Sequence, residues 1–129
     1  MEVVLDTNFI ISCLLKKIDF LDELKKMGFK VVVPHEVIEE LKDLKKNSKI
    51  SHEERIAIAV AFEIFEKEKV KKIKLGGSNV DEGLIKKGKE GVYIATLDNG
   101  IKLRVPNKVV IRSDGTTVYI LAFYHKDEQ

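Results

Sequence analysis

Strand-like and helix-like segments alternate along almost the whole chain, and this predicts an α/β fold. The form expected is a three-layer α/β/α sandwich with a mostly parallel central sheet and a C-terminal hairpin. Three observations carry the prediction. The runs VVL at 3–5, VVV at 31–33 and, but for Thr96, VYIATL at 92–97 are apolar, as strands buried on both faces are. The segments between them place apolar residues at helical spacing. The chain has 129 residues and is 44% hydrophobic, which suits one compact domain, taken here as residues 1–124 followed by a polar tail at 125–129.

Taken in order, the first strand ends in Asp6-Thr7-Asn8, and FIISCLL followed by Ile18, Leu21, Leu24 and Met27 predicts two successive helices. Gly28 stops the second of these. A β-branched strand over 30–33 runs into Pro34, and a helix over 35–46 ends at Asn47-Ser48. Ser51 caps the next helix, with Glu53 and Glu54 in its first turn. Its body, IAIAVAFEIF, is apolar almost all the way round, so it is either central in the fold or part of the interface of a homodimer. A short strand over 70–75 leads to the turn Gly76-Gly77. Ser78-Asn79-Val80-Asp81 then opens a helix that ends near Gly88 or Gly91. The strand VYIATL is closed by Asp98-Asn99-Gly100, and two β-branched runs around Asp114-Gly115 predict a hairpin over 108–120.

Composition removes several classes. The formal charge of +2 is the difference between 23 basic and 21 acidic side chains, so any polyanion site must come from local arrangement. The single cysteine, Cys13, lies in an apolar run and excludes both a disulfide framework and a Cys-rich zinc module. The chain opens directly on a strand-like run and has no stretch near the roughly 18 apolar residues of a membrane span, which predicts a cytoplasmic protein with no membrane partner.

The chemistry rests on carboxylates. Ligands of open parallel α/β sheets bind outside the carboxyl ends of the strands, and two strands here end in aspartate, Asp6 and Asp98. Taken singly, each has a plain explanation as a helix cap or a turn residue. On the helix over 35–46, stepping about 100° per residue makes Val37, Ile38, Leu41 and Leu44 a stripe. Glu39 lies nearly opposite that stripe, Glu36 and Asp43 lie well away from it, and Glu40 lies on its border. The same projection over 80–88 puts Asp81 inside the apolar stripe and Glu82 toward solvent. Capping with Ser78 is the alternative role for Asp81. Four carboxylates sharing a cleft would repel one another unless a cation is present. Oxygen donors with no His or Cys cluster beside them suit Mg²⁺ or Mn²⁺. His35, His52 and His125 fall at helix starts and in the tail, where solvated surface roles suffice.

D-T-N after the first strand, V-I-E-E-L on the third helix, N-V-D-E at a later helix start and A-T-L-D closing a strand together resemble the PIN domain over nearly the whole chain. No single motif is specific; four in register are. Carried over by position, the family's metal-binding acids, its catalytic set, fall on Asp6, Glu40, Asp81 and Asp98. Asn8 and Thr96 follow as polar supports of the site. The resemblance implies metal-dependent phosphodiester hydrolysis, most often of RNA, by activated water and without a protein nucleophile. The stretch from Asp98 through Ile101 and Lys102 to Arg104 is similar to the D-x-x-L-K-x-R of PIN proteins that process ribosomal RNA precursors, whereas many toxin-type members carry D-x-x-F. The zinc ribbon of some ribosomal members is not expected. Lys102 and Arg104 are the candidate RNA-binding cations. The lysine clusters at 42, 45 and 46 and at 69, 71 and 72 read as solvated faces. A narrow acidic floor favours single-stranded RNA, whose flexible backbone can bring one phosphate down to it.

Competing classes fit less well. A phosphoacceptor receiver domain needs an acidic pair after its first strand, and only Asp6 is there. A nucleotide enzyme of the P-loop kind needs G-x-x-x-x-G-K, which is absent. The rival of a different kind is a noncatalytic RNA-binding ribosome assembly factor, and cleavage of labelled RNA with and without Mn²⁺ separates it from a nuclease.

Overall fold

The computed structural model describes residues 1–122. Strands β1 (Glu2–Leu5), β2 (Lys30–Pro34), β3 (Lys71–Ile73), β4 (Tyr93–Ala95), β5 (Asn107–Ile111) and β6 (Val118–Ala122) form one sheet in the order β3-β2-β1-β4-β5-β6. The first five are mutually parallel, and β6 returns antiparallel beside β5 as the arm of the expected hairpin. β1 is central because Val3, Val4 and Leu5 are all fully buried, which demands cover on both faces.

Helices α1 (Thr7–Leu15), α2 (Phe20–Lys26), α3 (His35–Lys46) and α4 (His52–Lys67) share one core cluster. Phe9, Leu24, Leu41 and Ile58 pack there with Val3 and Leu5. Helices α5 (Val80–Lys89) and α6 (Asn99–Arg104) cover the other face, where Leu84 and Ile101 pack on Val4 and Ile94. Alternate residues of β1 thus feed opposite layers, and the three-layer sandwich follows.

Helix ends conform to local chemistry. Gly28 and Gly91 adopt φ of 93° and 98° after α2 and α5, the left-handed geometry that closes helices cheaply only at glycine. Gly88 stays inside α5 for a different reason: a Cβ there would lie 2.3 Å from Val105 Cγ1.

Several details differ from expectation. Asp98-Asn99-Gly100 does not close a strand but opens α6, a helix too short to show periodicity in sequence. β4 stops at Ala95, and Thr96 and Leu97 leave the strand, although the Thr96 N–H still donates to the Val109 carbonyl at 3.2 Å. β3 is likewise shorter than 70–75. Asp19 caps α2, leaving Ile18 in the preceding turn. The cap of α5 is Asn79, whose side chain accepts from Glu82 N at 2.9 Å, rather than a Ser78–Asp81 pair. Helix α4 buries Ala57, Ile58, Ala61 and Phe65 but exposes Ile56 and Val60, so its apolar circumference exceeds what the core covers. Cys13 is buried, whereas His35 and His52 are exposed. His125 and the expected domain end at 124 lie outside the described residues. Among those residues, no helix is long and apolar enough to cross a membrane.

Candidate functional site

Strand order fixes where a site can be. The chain winds from β1 toward β2 and β3 on one side and toward β4 and β5 on the other, so β1 and β4 flank the switch point, and their carboxyl ends open a crevice. Asp6 follows β1 and caps α1; Asp98 lies just beyond β4 and caps α6. Both therefore fill the plain capping role, and in doing so are held in place. Asp6 Oδ1 accepts from Thr7 N at 2.8 Å, and Asp98 Oδ1 accepts from Ile101 N at 2.9 Å.

Thr96 ties these two aspartates together. It is fully buried; its hydroxyl donates to Asp6 Oδ2 at 2.7 Å and accepts from Asp98 N at 3.1 Å. Thr7, also buried, donates its hydroxyl to Glu40 Oε1 and so links α1 to α3. Glu36, one turn before Glu40, accepts the N–H groups of Leu75 and Gly76 at 3.1 Å and ties down the loop that leads to Asp81. Burial works against the charge of Glu36, yet these backbone donors hold its carboxyl below the usual range.

A cavity of about 330 Å³ is lined by Asp6, Thr7, Asn8, Glu40, Asp43, Leu44, Asn47, Asp81 and Asp98. The four acids singled out in the sequence thus share one cavity, with Asn8 on its wall and Thr96 behind it. Among the described residues, no lysine or arginine lines it. Asp6 alone of the four is buried, and burial pushes its carboxyl above the ordinary aspartate value; the bonds from Thr96 and Thr7 oppose this, and the charges of Asp81 and Glu40 add to it. Asp81 corrects the helical projection: it is exposed in the first turn of α5, although Val80 beside it packs against the core. A projection gives the direction of a side chain, not its depth.

Sequence reasoning passed over Thr7, Asp43 and Asn47. Asp43 and Asn47 follow Glu40 at spacings of three and seven, which was the available signal. Among the described residues, no three acidic, imidazole or thiol groups are already gathered as the ligands of one ion. The donor chemistry nevertheless fits a hard divalent cation: carboxylate, hydroxyl and amide oxygens line the space, with no nitrogen base or thiolate among them.

The expected RNA-binding cations fall elsewhere. Arg104 ends α6 and pairs with Glu82 at 3.5 Å. Lys102 is half-buried and lines neither the acidic cavity nor the neighbouring groove. Lys108, read from sequence only as part of a strand, is 1% exposed; its Nζ donates to the Lys102 carbonyl at 2.6 Å, and burial first, then the Lys102 charge, lowers its pKa.

Fold and site together define a class: an open α/β domain with an acidic, oxygen-lined crevice at its switch point. The model of one family, described as a PIN like domain, matches residues 3–112, and the chain belongs to that family. Among solved structures, the PIN domain endonuclease Utp24 superposes with a TM-score of 0.69 at 21% identity, over 97% of this chain and 96% of that one. A domain of a functionally unknown protein from Methanocaldococcus jannaschii DSM 2661 superposes with a TM-score of 0.50 at 16% identity, over 97% and 94%. These likenesses are of fold. No curated protein matches the sequence.

Proposed function

We propose that the protein is a divalent-metal-dependent endoribonuclease that cleaves single-stranded RNA through Asp6, Glu40, Asp81 and Asp98. The observation that carries this reading is the convergence of these acids, from four separate segments, on one cavity that no lysine or arginine among the described residues lines. Uncompensated carboxylates so placed are costly without a bound cation. Family membership supports the nuclease reading, since PIN proteins are generally metal-dependent nucleases. Mg²⁺ or Mn²⁺ held by these acids would supply activation of water and stabilisation of charge on the phosphate.

The chain's own groups supply position. Thr96 and the Thr7 N–H orient both oxygens of Asp6. The Thr7 hydroxyl, engaged with Glu40, is an orienting group rather than a nucleophile. Asn8, exposed on the wall, offers an amide to the substrate's sugar or phosphate. The similarity of Asp98 to Arg104 to the ribosomal-type motif supports processing of ribosomal RNA precursors over the toxin role.

The test is cleavage of an end-labelled single-stranded RNA in Mn²⁺, Mg²⁺ or EDTA by wild type and by Asp98→Asn. Metal-dependent cleavage that Asp98→Asn abolishes is expected, with Glu39→Gln behaving as wild type. RNA binding without cleavage in any metal would replace this reading with the noncatalytic assembly factor.

A further inference from the structure

Helices α5 and α6 share a charge polarity that the cleavage reading does not use. Each starts at the acidic cavity, which Asp81 and Asp98 line, and each ends in bases: Lys86, Lys87 and Lys89 on α5, Lys102 and Arg104 on α6. The two helices pack together. Beside them lies a groove of about 370 Å³ lined by Glu82, Ile85, Lys86, Lys89, Glu90 and Arg104. At 1.5 Å rise per residue, Lys86 and Lys89 stand roughly 8 to 12 Å along α5 from Asp81. That separation matches a phosphate one or two nucleotides away from the one at the acids.

We propose that this groove is the path of the RNA strand beyond the cut, with Lys86, Lys89 and Arg104 holding the flanking phosphates. This rests on the nuclease reading and adds to it the direction in which the strand leaves the site. On the α3 side the cavity wall itself carries Asp43 and Asn47, and the lysines Lys45 and Lys46 stand beyond it in the last turn of that helix. A phosphodiester chain leaving that way first passes Asp43, whereas one leaving over α5 and α6 enters a groove in which Lys86, Lys89 and Arg104 outnumber Glu82 and Glu90. Glu82 does not close the groove. Its contact with Arg104 joins side chains that are 52% and 48% exposed, and exposed pairs are weakly held. A phosphate, which takes two parallel bonds from a guanidinium, displaces the carboxylate and becomes the better partner. Among the phosphates of a single strand, each such contact releases counterions and steepens the salt dependence by about 0.7.

The experiment measures KM for a two-nucleotide and an eight-nucleotide RNA at fixed Mn²⁺ and several salt concentrations, for wild type and for Lys86→Ala with Lys89→Ala. Both lysines are exposed, so the variant should keep its fold, which circular dichroism checks. In wild type KM should fall with length. In the variant that gain should shrink roughly five- to twentyfold, and the salt slope on the longer RNA should drop by about 1.4. Glu82→Gln, which frees Arg104, should lower KM for the longer RNA about twofold. A variant with the length dependence and salt slope of wild type overturns the path and directs attention to Lys42, Lys45 and Lys46. Wild type that cleaves neither RNA fails the nuclease reading itself, a distinct result.

Discussion

Replacing Thr96 with valine tests whether the aspartates are held as the geometry says. The change preserves volume at a fully buried position but removes the hydroxyl that donates to Asp6 Oδ2 at 2.7 Å and accepts from Asp98 N at 3.1 Å. Losing a hydrogen bond to a carboxylate costs about 1.5–3 kcal/mol, and leaving the partly buried Asp98 N–H without its acceptor adds about 1 kcal/mol. A total of about 2.5–4 kcal/mol follows. With an unfolding entropy near 2.1 cal/mol/K per residue, that lowers Tm by about 9–15 °C in a chain of this length. The loss should also depend on pH. Burial already holds the folded pKa of Asp6 above its ordinary value, and the Thr96 bond works against that rise. Without the bond the folded pKa climbs further. A carboxyl whose folded pKa is raised favours folding fully below its unfolded value, about 3.9, and loses that contribution as pH rises through the folded one. The deficit of Thr96→Val should therefore widen as pH rises from the wild-type folded pKa to the higher one of the variant, and level off above it. Melting curves in EDTA at pH 4 to 8 measure it, with Thr96→Ser as the variant that retains the hydroxyl. A deficit under about 1 kcal/mol, or one equal at every pH, would refute the bridging role.

Metal should stabilise the fold through the same residues: at a hundredfold excess over Kd, Mn²⁺ adds about 2.7 kcal/mol, or about 10 °C, to wild type. Asp81→Asn should lose much of that shift while melting in EDTA near wild type, since Asp81 is exposed; a large loss in EDTA would make Asp81 a structural residue. Cys13 is buried and its thiol is pushed up to about 12, first by burial and then by the Glu23 charge, so iodoacetamide at pH 8 should leave it unmodified until denaturant is added. Mass spectrometry that finds rapid native alkylation would contradict this packing. Gly88→Ala forces a methyl against Val105 and should cost about 1–3 kcal/mol, read as a Tm lowered by about 4–11 °C; an unchanged Tm would mean that α5 is not seated as described.

The sequence by itself determined the alternation of elements, because buried parallel strands write themselves as apolar runs and their covering helices as stripes. It also marked Asp6 at a strand end, and Ser51 and Gly28 as helix limits, since caps act over three or four residues and need no tertiary information. What it did not contain was depth and adjacency. Asp81 lies on the apolar side of a projection yet is exposed, while Val80 beside it packs on the core, because a projection carries direction and not depth. Thr96 was a neighbour by resemblance alone; its hydroxyl bridges Asp6 and Asp98 because β1 and β4, ninety residues apart in the chain, are paired in the sheet. Lys108 was legible only as part of a strand; its burial and its bond to the Lys102 carbonyl depend on α6, which is too short to be read from periodicity. The strand order decided that Asp6, Glu40, Asp81 and Asp98 line one cavity, since a crevice at a switch point exists only once strands 1 and 4 lie side by side.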